Sequence, residues 1–233
     1  MEYENYSFVE ALKFLAQRAG VELPQEEYSK EAKERADTRS ALLEMNKLAA
    51  KYYYAQLKTE GGRQAREYLQ NRQLSQETIT AFGLGYSSKY SDDLFRYLKM
   101  KGYSEEMIIK AGLVNVDEKH GVYDKFWNRV IYPIMDANSR VIGFGGRVMG
   151  DGKPKYLNSP ETKIFDKSRN LYGLNLARSS RRKNLIICEG YMDVISMHQA
   201  GFNNAVASLG TALTSLQAGL MKRYTCLLYT SDA

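Results

Sequence analysis

The sequence predicts an α+β chain: helical in its first half, with paired strands near the middle and a β-α-β-α run at the end. Three observations carry that expectation. Apolar residues recur at helical spacing between residues 7 and 111. From Val114 the period shortens to that of strands. The run Asn184 to Gly201, NLIICEGYMDVISMHQAG, reads as a buried strand that ends in a carboxylate and turns at once into a helix.

In residues 7–19, Phe8, Ala11, Leu12, Leu15 and Ala19 share one helix face, Ser7 can cap it, and Gly20 and Pro24 end it. Residues 25–38, QEEYSKEAKERADT, are charged without an apolar stripe and read as a linker or an exposed helix. Residues 39–58 form a strong helix with Leu42, Leu43, Met45, Leu48, Ala49 and Tyr52 inward, and Gly61-Gly62 breaks it. Arg63 to Asn71 is helical again, and Ser75 caps a short helix that ends at Gly83. Residues 91–101, with Leu94, Phe95 and Leu98, and residues 104–111, with Ser104 as cap and Met107, Ile108 and Ala111 inside, are two more short helices.

Val130 to Ile134 and Arg140 to Phe144 then read as paired strands around the turn Asp136-Ala137-Asn138-Ser139. Gly145-Gly146 suggests a bend. Leu185 to Cys188 is the carboxylate-ended strand, followed by a helix with Val194, Ile195 and Met197 on one face. A second short strand precedes Ser208-Leu209-Gly210-Thr211, and Leu216 to Tyr224 is a helix with Thr214 or Ser215 as cap.

Glu189 ends its strand at the carboxyl edge, where open α/β sheets bind ligands. Gly190 leaves the backbone approachable, and Asp193 lies in the first helical turn, where the macrodipole favours negative charge. The two carboxylates can point into one crevice, and hard oxygen donors of this kind suit Mg2+. Taken alone, Glu-Gly-x-x-Asp is a common strand end and cap; its surroundings raise its weight.

Charge is concentrated. Between Arg147 and Lys183 stand ten Lys or Arg and three Asp or Glu, a balance of +7 in a chain of net +6. A basic strip interleaved with Tyr156, Phe165 and Tyr172 suits a phosphate backbone with stacked bases. Arg147 offers a bidentate fork, and Lys155, Tyr156 and Asn158 lie in a polar loop between Pro154 and Pro160. Lys167 and Arg169 extend the strip, whereas Tyr172 reads as core. His198 reads as a partly buried structural histidine and His120 as an exposed one. Cys188 reads as a small buried hydrophobe.

A zinc site is not expected, because Cys188, Cys226, His120 and His198 are far apart. With no signal peptide and no apolar run near the ~20 residues of a membrane span, the location expected is cytoplasmic, without membrane contact.

The β-α-β-α order, with Glu189 at the first strand end and a Gly-Thr turn at the second, resembles the Toprim domain of bacterial DnaG-type primases, topoisomerases and related nucleases. Residues 124–174 resemble the region just before Toprim in DnaG-type primases. The elements F-x-N-R-V-x-x-P-I, G-F-G-G-R, K-Y-L-N-S-P-E-T and F-x-K-S-R-x-L-Y-G-L follow in that family's order, and R-x-Y-L-x-x-R-x-L-S-x-E-T-I-x-x-F-x-L-G-Y at residues 66–86 agrees.

The resemblance implies a fold of a helical N-terminal segment, a mixed α/β primase core subdomain and the first half of Toprim. It implies the divisions 1–24 (exit helix of a truncated zinc-binding domain), 25–38 (linker), 39–183 (N-terminal subdomain of the polymerase core) and 184–233 (partial Toprim). It implies metal-dependent nucleotidyl transfer that makes short RNA primers on single-stranded DNA at replication forks. Glu189 would be catalytic and a ligand of Mg2+ or Mn2+, and Asp193 would support it. Arg147, Lys155, Tyr156, Asn158, Lys167 and Arg169 would contact template or nucleoside triphosphate. Zn2+ and a C-terminal domain that contacts the replicative helicase would belong to the parent protein only.

The family's third Toprim strand ends in an Asp-x-Asp pair, and this sequence has none. The final string CLLYTSDA resembles translated sequencing adapter, so residues 226–233 form a suspect tail and Asp232 has no assigned role. The expectation is an inactive fragment whose Leu185 to Cys188 strand has an open edge. The alternatives are another Toprim enzyme, such as a phage primase-helicase, betrayed by a downstream Walker A motor, or a non-catalytic single-stranded-DNA-binding module.

Overall fold

A computed structural model describes residues 15–20, 30–118, 121–180, 182–210, 212–224 and 227–230. Ser7, Phe8, Ala11, Leu12, Pro24, His120, Thr211, Cys226 and Asp232 lie outside the described residues.

Residues 15–19 are helical and Gly20 closes the turn at φ +65°. Leu15, expected inward, is 54% exposed, and Ala16 is the buried residue of that turn. The next helix, α1 (Lys30–Lys58), begins inside the stretch expected as a linker. Residues 33–37 of α1 are exposed, so this charged start is helical without being core. Further along, Leu42, Met45 and Ala49 are buried as the apolar stripe requires, and Tyr53 rather than Tyr52 is the fully buried tyrosine.

A 3-10 turn, Glu60–Gly62, ends α1. Gly62 is needed there because a Cβ would stand 2.5 Å from the Gln56 carbonyl oxygen. Arg66 donates to the Leu57 carbonyl at 2.6 Å, closing one of the orphan acceptors of the helix end. Next come α2 (Arg63–Asn71), α3 (Gln76–Ala81), β1 (Gly85–Ser87), α4 (Asp93–Met100) and α5 (Glu105–Lys110). Ser75 and Ser104 accept from the amides of Thr78 and Met107, so both expected N-caps form.

The strands β2 (Val114–Asp117) and β3 (Gly121–Asp124) make a small antiparallel ribbon. The main sheet is antiparallel in the order β1-β4-β5-β6, with β4 (Arg129–Met135), β5 (Val141–Val148) and β6 (Tyr156–Asn158). The β4–β5 turn is held by Asp136, which accepts from the amides of Asn138 and Arg140 and from Arg140 Nε. Gly145-Gly146 does not bend the chain. Both glycines lie inside β5, in register with β4 and β6. They are glycines because side chains crowd them: a Cβ on Gly145 would be 2.6 Å from the Tyr191 ring, and one on Gly146 would be 2.8 Å from Phe126.

After a 3-10 turn at Lys167–Arg169 and the short α6 (Leu174–Ala177), the chain enters β7 (Asn184–Cys188), α7 (Tyr191–Gln199), β8 (Ala205–Ala207), α8 (Ser215–Met221) and β9 (Leu227–Thr230). Their sheet is parallel in the order β8-β7-β9. The open edge expected on Leu185 to Cys188 is therefore filled, because β9 pairs with β7 from Asn184 to Ile187. On the far side, β8 is bridged by Tyr172, which exchanges two backbone hydrogen bonds with Ala207. One buried cluster runs through both sheets, joining Val130, Tyr132 and Ile134 of β4 to Tyr172, Tyr191, Val194 and Ala205. Cys188 and Tyr172 are buried within it.

Candidate nucleic-acid and metal site

Because β7 is central in its sheet, its carboxyl end is fixed from both sides, and Glu189 leaves that end exposed to solvent. Among the described residues its carboxylate has no hydrogen-bond or ion-pair partner. Asp193, also exposed, turns back on its own helix: its Oδ2 accepts from the Gly190 amide at 3.1 Å. Beside Gly190 the backbone is open, since the nearest atom to an added Cβ would be Asp193 Oδ2 at 3.6 Å.

The basic residues belong to the other sheet. Side chains alternate across a strand, so the register sets Tyr156, Arg147 and Val130 in one row and Asn158, Gly145 and Tyr132 in the next. This is the face on which Tyr191 lies: its ring stacks on Tyr132 at 5.3 Å and covers Gly145. Asn158 joins the two sheets. Its Oδ1 accepts from the Tyr191 hydroxyl at 2.7 Å, and its Nδ2 donates to the Leu209 carbonyl at 3.1 Å. One side chain thus pins both the turn after β7, which bears Glu189, and the loop after β8. Burial pushes the Tyr191 phenol pKa far up, so it stays a neutral donor.

Arg147 is half-buried; its guanidinium stacks on the Tyr68 ring at 4.2 Å and its Nη1 donates to the Val148 carbonyl at 3.2 Å. Tyr156 is 44% exposed beside it. Burial raises the Tyr156 phenol pKa and the Arg147 guanidinium pulls it back. Lys155 is exposed, and its carbonyl accepts from the Val148 amide. Lys167 lies close enough to Lys125 to lower the latter's pKa, after burial, which is the larger cause. The turn that carries Lys167 is docked on α8: Gln217 donates to the carbonyls of Lys167 and Asn170, and Thr214 donates to that of Ser168. Arg169 is exposed and paired with Asp166 at 3.2 Å.

His198 is half-buried, its ring nitrogen 2.9 Å from the Ala205 carbonyl oxygen, and burial lowers its pKa. Composition and spacing did not single out Tyr191 or Tyr68. The available signals were slight: Tyr191 follows Glu189-Gly190 directly, and Tyr68 stands inside the R-x-Y-L string.

The carboxylates fit a hard divalent ion in chemistry and access, since both are exposed oxygen donors. They fit as one side of a cage. Among the described residues no three His, Cys, Asp or Glu converge, and one Asp193 oxygen is already engaged. Mg2+ typically takes one or two protein carboxylates and completes its shell with water and phosphate oxygens, so the pair suits an ion that arrives with a nucleotide.

Comparison with known proteins gives this geometry a family. The DNA primase catalytic core, N-terminal domain, matches residues 52–178, and the Toprim domain, which implies divalent metal binding, matches residues 183–228. A DNA primase of Clostridium acetobutylicum is 49% identical over 227 residues, covering 96% of this chain and 37% of its own length. The chain thus spans little more than a third of that relative. A structure of the DnaG primase catalytic domain bound to single-stranded DNA is 40% identical with a TM-score of 0.78, covering 84% of this chain and 62% of that one. The zinc-binding and RNA polymerase domains of the Aquifex aeolicus primase are 35% identical with a TM-score of 0.75, covering 98% of this chain and 54% of that one. With the primase core model over more than half of its residues, the Toprim model after it and DnaG catalytic cores as structural neighbours, this chain is a member of the DnaG-type DNA primases.

Proposed function

We propose that this chain handles template and nucleotide in a DNA primase, a DNA-directed RNA polymerase that copies single-stranded DNA into short RNA primers. The observation that carries the reading is the 2.7 Å hydrogen bond from Tyr191 to Asn158. It holds the turn that bears Glu189 against the strand bearing Tyr156, which supports a reading in which carboxylate and cation chemistry serve one site.

In this reading Arg147, Lys155 and Lys167 bind phosphates of template or nucleoside triphosphate, Arg169 prolongs the track, and Tyr156 stacks on a base. Asn158 acts by position, its amide being engaged at both ends. Glu189 would hold Mg2+ or Mn2+, with Asp193 supporting it from the next helical turn. A bound divalent ion supplies stabilisation of the charge that develops on attacking and leaving oxygens. The protein acts in the cytoplasm; among the described residues no helix is long and apolar enough to cross a membrane. Zn2+ and the replicative helicase are assigned to other regions of the full-length protein.

The test is template-directed synthesis by the full-length protein with ribonucleotides and Mn2+; absence of templated oligoribonucleotides would sink the reading. The 233-residue chain alone is expected to bind single-stranded DNA without making primers, since no third acid converges on Glu189 among the described residues. Oligoribonucleotides from this chain that vanish with Glu189→Gln would show that two carboxylates suffice.

A further inference from the structure

We propose that Tyr68 is a positioning residue of the nucleic-acid track: its ring is the platform that sets the orientation of the Arg147 guanidinium. The inference rests on the proposed binding role of Arg147 and adds a residue on a different element.

Tyr68 comes from α2, which is firmly seated. Ala65 and Leu69 of that helix are buried, and Arg66 ties its first turns to the end of α1. Two cations meet the Tyr68 ring: the Arg147 guanidinium at 4.2 Å and that of Arg72 at 5.6 Å. The ring therefore contacts an arginine of β5 and lies near one at the end of its own helix.

Hydrogen bonds account for only part of this arrangement: Arg147 Nη1 donates to the Val148 carbonyl at 3.2 Å. Arg147 Nε is buried without a hydrogen-bond partner among the described residues, and the Tyr68 hydroxyl lies beside that of Tyr132. The cation–π contact with the Tyr68 ring and packing supply the rest. A guanidinium seated over a ring has fewer orientations open to it, and the planar fork is what matches a phosphate. The contact is made by the ring and not by the hydroxyl, so Tyr68→Phe separates it from the polar interaction of the hydroxyl with Tyr132.

The experiment is a fluorescence anisotropy titration of the 233-residue chain against labelled oligo-dT over a salt series, with thermal melts of each variant. Tyr68→Leu should weaken binding about fivefold to tenfold, the scale of a cation–π contact. Tyr68→Phe should restore wild-type affinity. Arg147→Lys keeps the charge but loses the flat group, so it should weaken binding and make Tyr68→Leu nearly silent in the double variant. Additive penalties, wild-type binding by Tyr68→Leu, or a Tyr68→Phe as weak as Tyr68→Leu would overturn the proposal. Should Tyr68→Leu fail to fold, Arg147→Lys decides: wild-type affinity there would overturn it. No binding by the wild-type chain at low salt would remove the nucleic-acid reading itself; binding with additive penalties removes only the role of Tyr68.

Discussion

Arg147 and Glu189 are the two poles of the candidate site, and they are built in opposite ways. Arg147 lies inside an antiparallel sheet, paired on both sides and stacked on Tyr68. Glu189 stands at the end of a parallel strand, exposed and without a partner among the described residues. The cation is preorganised by packing, so its geometry exists before any ligand arrives. The carboxylate is fixed only through its backbone, so its side chain remains free to meet an incoming ion. On the proposed reading, in which the site holds a polyanion and then admits a metal, this division serves both tasks.

The strongest way to break the comparison is at the exposed pole. In the full-length protein, Glu189→Gln should lower primer yield about 100-fold or more, since a metal contact is worth several kcal/mol and each ~1.4 kcal/mol is tenfold. Affinity for single-stranded DNA should barely change. A gel assay showing near wild-type primers would reduce Glu189 to a strand terminus.

Next is the link between the poles. Asn158→Ala leaves the Tyr191 hydroxyl and the Leu209 carbonyl unpaired in part-buried surroundings. The expected cost is about 2 kcal/mol, or roughly 4–8 °C of Tm for a chain of this size. A melt unchanged within a degree would show that packing alone joins the sheets.

The packed pole can be sharpened by charge. Joint reversal of Lys155 and Lys167 to Glu should weaken oligo-dT binding and flatten the log–log salt slope by about 1.4, at ~0.7 per phosphate contact on a single strand. An unaltered slope would place the track elsewhere.

The smallest effect concerns pH. Burial holds the His198 pKa below its ordinary 6.5, so the unfolded chain binds its proton first as pH falls. Stability present above pH 6.5 is therefore lost as pH drops toward the folded pKa. Asp124, whose pKa burial pushes up to about 7, acts in the opposite sense over the same range, so the measurement is the difference between proteins. From pH 7.5 to 5.5 the melting temperature of His198→Gln should change less unfavourably than that of the wild type, and an identical slope would assign the effect to other groups.

Much of this was legible in the sequence because local rules agreed with the fold. Ser75 and Ser104 announced helix starts, and both cap as expected. Leu42, Met45 and Ala49 traced the buried face of α1. Elsewhere tertiary contacts decided. Charged residues 30–38 are helical because α1 propagates from a packed stretch, whatever their lack of an apolar stripe. Gly145-Gly146 suggested a bend because glycine's usual meaning is conformational, whereas here it makes room for Tyr191 and Phe126. Glu189, Lys155 and Arg147 were visible as chemistry in a motif. Tyr68 and Tyr191 were not, since a tyrosine's value as a platform or staple depends on neighbours far away in sequence.

The Asn158 staple also bears on modularity. Residues 183–228 match the Toprim domain as a block, yet the seating of that block depends on a phenol after the Glu-Gly turn and a carbonyl at Leu209, both read by one amide outside it. A chimera joined at residue 183 inherits those halves from different parents. The graft should be compatible only where donor and recipient supply the three parts as a matched set, with Gly145 vacant beneath the ring.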